Sequence, residues 1–114
     1  MFVVYHNPSC GTSRNVLQLI RDAGQEPVVV EYMKEGWTRA HLLGLFAAAG
    51  LSAREALRLK SWPEEELGAF DESMSEDALL DAMIAHPVLV ERPFVACAKG
   101  VRLCRPKERV QELL

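Results

Sequence analysis

An apolar run, a turn, an amphipathic run, a glycine and a second apolar run follow one another near the start of the chain. That order constrains the fold more than any other feature. Phe2-Val3-Val4-Tyr5 reads as a buried strand. Small and turn-forming residues follow from His6 to Asn15. Thr12 or Ser13 can then cap a helix that places Val16, Leu17, Ile20 and Ala23 on its inner face. Gly24 is placed to end that helix. Pro27 leads into Val28-Val29-Val30, an unbroken apolar strand of the kind buried on both faces. Strand, helix and strand at this spacing make a βαβ unit, with parallel strands and a right-handed crossover.

The middle of the chain reads as helical. Thr38 caps a run carrying Leu42, Leu43, Leu45, Phe46 and Ala49, closed by Gly50. Ser52 can cap a short helix through Ala56 and Leu57. Pro63-Glu64-Glu65-Glu66 places acids in a first helical turn, as the helix dipole favours. Ser75-Glu76-Asp77 opens a helix with Leu79, Leu80, Met83 and Ile84 inward, stopping near His86-Pro87. Phe94 to Ala98, the turn Lys99-Gly100, and Val101 to Cys104 read as a β-hairpin. Pro106 can start a last helix carrying Val110 and Leu113. The order is β-α-β, several helices, then β-β-α. This is an α/β chain with the thioredoxin-like arrangement, carrying a helical insertion between its βαβ and ββα halves. One domain is expected over residues 1–114.

Composition removes several function classes. A hydrophobic content of 49% is enough for a core without disulfide or metal support. No apolar run approaches the roughly 20 residues needed to span a bilayer, and no signal-peptide pattern is visible. A cytoplasmic, reducing location is expected. The net charge of −3 disfavours nucleic-acid binding. Three cysteines, Cys10, Cys97 and Cys104, are an odd count without a Cys-x-x-Cys. This argues against a disulfide framework or a local dithiol pair, and no zinc-finger spacing is present, so no metal site is expected.

Cys10 falls in the strand-to-helix turn His6-Asn7-Pro8-Ser9-Cys10-Gly11-Thr12-Ser13-Arg14. Free N–H groups and the dipole at a helix N-terminus favour a thiolate there, and also a bound oxyanion. The flanking residues suit an exposed loop and a reactive thiol. Arg14, in the first helical turn, can raise the local positive potential. His6 either supports the loop and thiolate or hydrogen-bonds to backbone. In the expected hairpin register Cys97 faces Arg102 and Cys104 faces Val95. The two thiols are then diagonal neighbours at roughly 7–8 Å, too offset for an easy disulfide. Packing within the sheet is favoured for both. Arg92 and Arg105 each precede a proline and lie at the same end of the hairpin, where their guanidinium forks can take a tetrahedral oxyanion. Arg58 gains nothing from spacing alone.

The segment Tyr5 to Asn15, with its His-x3-Cys-x3-Arg core, resembles the signature of glutaredoxin-coupled arsenate reductases, the ArsC family. The likeness continues through Ala56-Leu57-Arg58, then His86 to Pro93, and ends in Gly100-Val101-Arg102-Leu103-Cys104-Arg105-Pro106. It covers nearly the whole chain. The resemblance implies Cys10 as nucleophile and Arg58, Arg92 and Arg105 as oxyanion-binding arginines. It implies that His6, Gly11, Thr12, Ser13 and Arg14 tune or hold the loop, and that Pro93 is a cis-proline. Some members carry a longer C-terminal tail, which bears none of these residues.

The implied reaction is reduction of arsenate to arsenite through a covalent Cys10–arsenic adduct, resolved by glutathione and glutaredoxin. No bound cofactor is implied, with glutathione acting as co-substrate. The missing Cys-x-x-Cys fits the need for an outside thiol. A monomer without nucleic-acid or membrane partners is expected. Two other readings share the scaffold: a regulatory or interaction protein, and a glutathione-dependent thiol oxidoreductase with another substrate. Ser13, standing where a dithiol switch would carry its second cysteine, counts against the first. Leu103-Cys104-Arg105-Pro106 counts against the second. A cysteine phosphatase is disfavoured because Cys-x3-Arg is shorter than its Cys-x5-Arg loop.

Overall fold

The first apolar run, Val3–His6, forms strand β1, and the amphipathic run forms helix α1, Gly11–Asp22, in a computed structural model describing residues 1–114. Val16, Leu17 and Ile20 are buried on the inner face of α1. Ala23 is exposed, because it is the C-cap residue and already turns away from the core. Gly24 follows with φ 87°, a left-handed position that only glycine takes without strain. The N-cap is Cys10 itself, so neither Thr12 nor Ser13 caps the helix. The helix begins two residues before Ser13, which leaves the Ser13 hydroxyl pointing inward instead.

Strand β2, Val28–Glu31, pairs parallel with β1. Strands β3, Phe94–Cys97, and β4, Gly100–Leu103, complete the sheet in the order β2-β1-β3-β4. The expectation that Val28-Val29-Val30 is buried on both faces is corrected here. β2 is an edge strand, Val28 is 47% exposed, and the other two valines are only partly covered. An apolar run does not reveal strand order, and β1, not β2, is central. Val4 and Val95 share one sheet face with Phe2 and Cys104 and pack with Val16, Leu17 and Ile20 of α1. Val110 and Leu113 from the C-terminal turn complete this core. Val4, Val16, Ile20 and Val95 are fully buried, each burial contributing roughly 1.5–3 kcal/mol before entropy is counted. The last element is a 3-10 helix, Lys107–Glu112, rather than a regular α-helix.

The hairpin turn sits one residue earlier than the sequence indicates. Cys97 pairs with Gly100, so the turn is Ala98-Lys99, and every β3–β4 partner shifts by two. Gly100 takes a φ of 134° just after the turn instead of inside it. The shift separates Cys97 and Cys104 further along the hairpin than the diagonal expectation. Both are free thiols. The peptide bonds before Pro93 and Pro106 are both cis; the first was expected from the resemblance and the second was not.

The chain divides into two compact units, Met1–Glu35 with Arg92–Leu114, and Gly36–Glu91. A short helix α2, Tyr32–Glu35, closes the first segment. The second unit holds α3, Arg39–Ala49, and α4, Glu76–Ala85. Their caps are as expected: Thr38 accepts from His41 N and Ser75 from Ala78 N, each at 3.1 Å, and Gly50 ends α3 at φ 72°. Leu43 on α3 is 48% exposed and Ile84 on α4 half-buried, while Leu42, Leu45, Phe46, Leu79, Leu80 and Met83 form the apolar interior. Residues 52–57 make a turn, not the expected short helix. Glu76 takes the Ala53 and Arg54 N–H groups, and Leu57 bridges to Val90 instead. Glu64–Phe70 and Pro87–Leu89 are 3-10 helices.

Candidate active site at Cys10

β1 ends at His6, and the chain turns at once into α1. Asn7 makes that turn: its Oδ1 accepts from Ser9 N at 2.9 Å, and its carbonyl accepts from Cys10 N at 3.0 Å. The sequence signal, Asn-Pro-Ser, is an ordinary turn former, yet the reading of candidate residues passed Asn7 over. Ser13 closes the loop from inside. Its Oγ accepts from Asn7 N at 3.1 Å and shares a 2.6 Å hydrogen bond with His6 Nδ1. Arg14 Nη1 donates to the Pro8 carbonyl at 2.8 Å. Gly11 begins the helix, and Thr12 lies half-buried in its first turn.

His6 is 6% exposed, and burial lowers its pKa first of all. Glu31 pulls the other way, and the Arg14 and Arg21 charges lower it further. A neutral imidazole near pH 7 follows, serving Ser13 as a hydrogen-bond partner; of the two alternatives for His6, support of the loop is the geometry found. Replacing Ser13 by Ala strips partners from two buried polar groups. We expect a stability loss of about 2 kcal/mol and a melting-temperature drop of roughly 8 °C, measured by calorimetry.

Cys10 is less exposed than the small residues around it imply. The residue is 8% exposed, although Pro8, Ser9 and Gly11 are open to solvent. Burial by itself pushes the thiol up. The Ser13 backbone N–H, the Arg105 guanidinium and the Arg92 guanidinium together outweigh it, so the thiol lies below the ordinary range. Arg105 Nη1 approaches Cys10 Sγ at 3.6 Å and also donates to the Arg92 carbonyl at 3.1 Å. Arg92 is itself 6% exposed. Arg14, expected to add positive potential at the thiol, instead spends its guanidinium on Pro8 and bears on His6.

The hairpin register explains how the two arginines meet. Cys104 N donates to Pro93 O at 2.9 Å, and the same register continued one step sets Arg105 across from Arg92. With the turn at Lys99-Gly100, Arg105 would face Phe94. Cys10, Arg92 and Arg105 thus come together within one unit. Arg58 belongs to the other unit, where its Nη1 pairs with Glu91 Oε1 at 3.0 Å and its N–H donates to Leu89 O. Glu91 was not singled out by the sequence as a functional residue. A carboxylate one residue before Arg92 was the available signal.

Cys104 is fully buried, and burial pushes its thiol up to about 12. Iodoacetamide labelling should therefore separate the thiols. Cys10 should react at a rate rising with pH through a midpoint below that of an ordinary thiol. Cys104 should stay unlabelled at pH 9 in the folded protein, as peptide mass mapping would read.

A thiolate at a helix N-terminus with two guanidinium groups on it is equipped to attack an electrophile and hold the displaced negative charge. Residues 5–113 match the ArsC family. An arsenate reductase of a Synechocystis strain is 59% identical over 114 residues, all of this chain and 81% of that protein. An arsenate reductase of Escherichia coli is 47% identical over 97% of this chain and 79% of its own length. The structure of an arsenate reductase from Vibrio cholerae superposes with a TM-score of 0.90 at 39% identity, covering 99% of this chain and 97% of that one. With the cysteine loop, both arginines and the thioredoxin-like fold in place, the chain belongs to the ArsC family.

Proposed function

We propose that this protein reduces arsenate to arsenite with Cys10 as nucleophile. The observation carrying this reading is the Cys10 thiol, held at the N-terminus of α1 with Arg105 at 3.6 Å and Arg92 lowering its pKa, in a chain of the ArsC family. Arsenate is a tetrahedral oxyanion whose As(V) centre is electrophilic toward soft sulfur. The Cys10 thiolate forms an S–As bond, and one arsenate oxygen leaves as water after protonation. The Ser13 N–H and the arginine forks balance the negative charge on the remaining oxygens. Arg58 enters this reading through its family match alone.

Completion requires two electrons, and the chain has no second thiol fit to deliver them. Cys104 is a buried, high-pKa thiol, and Cys97 lies at the turn end of the hairpin, away from Arg105. Glutathione therefore adds to the adduct, displacing a second water and forming a second S–As bond. A glutaredoxin thiolate then attacks the glutathione sulfur. The electron pair of that S–As bond passes to arsenic, giving As(III) and a glutathione–glutaredoxin mixed disulfide. Hydrolysis of the remaining Cys10–As bond releases arsenite and restores the thiol. In a turnover assay, arsenite should form with glutathione and glutaredoxin together. Steady turnover with thioredoxin alone would sink the coupling, and absence of arsenite under every thiol system would sink the substrate.

A further inference from the structure

Asn7 is a buried polar residue with no part in the chemistry proposed at Cys10. It is 6% exposed, at the point where β1 gives way to the cysteine loop. Asn7 to Cys10 form a β-turn: Cys10 N donates to Asn7 O at 3.0 Å, and Pro8 stands where a fixed φ suits such a turn. The Asn7 side chain braces the turn, because its Oδ1 accepts from Ser9 N at 2.9 Å. Asn7 N donates to Ser13 Oγ at 3.1 Å, the oxygen that His6 Nδ1 also meets. Arg14 N donates to Cys10 O at 3.0 Å, and Arg14 Nη1 holds the Pro8 carbonyl. Asn7 is thus hydrogen-bonded both to Cys10 and to Ser13, the residue whose N–H bears on the Cys10 sulfur.

We propose that Asn7 is a positioning residue for the Cys10 nucleophile: its side-chain amide braces the turn that holds the sulfur over the Ser13 N–H. Cys10 is the N-cap of α1 and has extended backbone. A side chain at that position reaches back to the N–H groups of the second or third helical residue, and Ser13 is the third. The sulfur therefore stands where a capping oxygen would. What it gains there depends on the angle at which the chain enters the helix, because such a contact weakens steeply with distance and direction. The turn sets that angle. Asn7 has no hydrogen bond to Arg92 or Arg105, the charged groups acting on the thiol, so it works through position and not through charge. The brace needs an acceptor close to the Asn7 backbone. A serine hydroxyl supplies one more weakly, alanine supplies none, and glutamine carries its oxygen one methylene too far. The proposal rests on Cys10 as nucleophile and does not depend on arsenate as its target.

The test is the pH dependence of iodoacetamide alkylation at Cys10 in the intact protein, with Cys97 at the hairpin turn as internal reference. Asn7→Ala should raise the Cys10 midpoint by about 0.5–1 pH unit, a roughly three- to tenfold loss of thiolate at pH values below the midpoint. Asn7→Ser should recover at least about half of that shift. Asn7→Gln should behave like Asn7→Ala, and it takes the place of the alanine variant should that one not fold. Cys97 should react at the wild-type rate in all three. A midpoint within about 0.2 unit of wild type in the alanine or glutamine variant would overturn the role, as would a serine variant shifted just as far as they are. A matching change at Cys97 would mark a general loosening of the fold and overturn it too. With glutathione and glutaredoxin, arsenate reduction by the alanine or glutamine variant should fall at pH 7 and recover as pH rises. Absence of arsenite from the wild type as well would reject the substrate, while alkylation would still decide Asn7.

Discussion

Cys10→Ser should lower arsenate reduction by at least about a thousandfold, with arsenite formation in the presence of glutathione and glutaredoxin as the measurement. The size follows from what the hydroxyl cannot do. The interactions that outweigh burial at Cys10 bring a thiol below its ordinary range, but a serine hydroxyl starts several units higher and stays protonated. It is also a hard nucleophile facing a soft arsenic centre. Arsenate affinity should change little, because Arg92, Arg105 and the Ser13 N–H remain. Cys97→Ser and Cys104→Ala should keep most activity. Their thiols lie along the sheet or within the core, and neither contacts the Cys10 sulfur. Activity retained in Cys10→Ser would reject the nucleophile outright.

Arg105→Ala should lower kcat by about 10²–10³, the cost of removing one preorganised oxyanion donor. Two effects run together. The guanidinium at 3.6 Å from Sγ stabilises the thiolate, so its loss raises the thiol and shifts the pH profile of both alkylation and turnover upward. The sign is fixed: a higher Cys10 pKa leaves less thiolate at pH 7, and rate recovers as pH rises through the new value. The second effect is loss of a fork on the arsenate oxygens, which raised pH does not repair. Arg105→Lys separates them. Its charge should restore part of the thiolate without restoring bidentate geometry, so the pH midpoint should return further than kcat does. The Arg105 guanidinium also holds the Arg92 carbonyl, which makes the two arginines non-additive in a double variant. An Arg105→Ala enzyme within about threefold of wild type would remove Arg105 from the oxyanion site.

What could be read locally was largely correct. Helix caps at Thr38 and Ser75, the glycine stops at Gly24 and Gly50, and the start of α1 near Cys10 depend on a few neighbouring residues. The chemistry of each is written within one helical turn. The segment after Ser52 does start as expected, with Ser52 Oγ accepting from Glu55 N, but it stops after a single turn because Leu57 leaves to bridge Val90, more than thirty residues away. The expected last helix after Pro106 came out as a 3-10 helix, which apolar spacing at Val110 and Leu113 does not distinguish from an α-helix.

By itself the sequence determined that a cysteine would stand at a strand-to-helix junction and that β1 and β2 would run parallel. These follow from short-range periodicity and from backbone geometry. Tertiary structure alone decided which strand lay at the edge and which hairpin partners faced each other. It also decided which polar groups met. Moving the turn from Lys99-Gly100 to Ala98-Lys99 shifts every pair by two and sets Arg105 opposite Arg92 instead of Phe94. The physical reason is range: backbone preference acts over a few residues, while the field at the Cys10 sulfur is made by groups up to 95 positions away, joined only by strand register and packing.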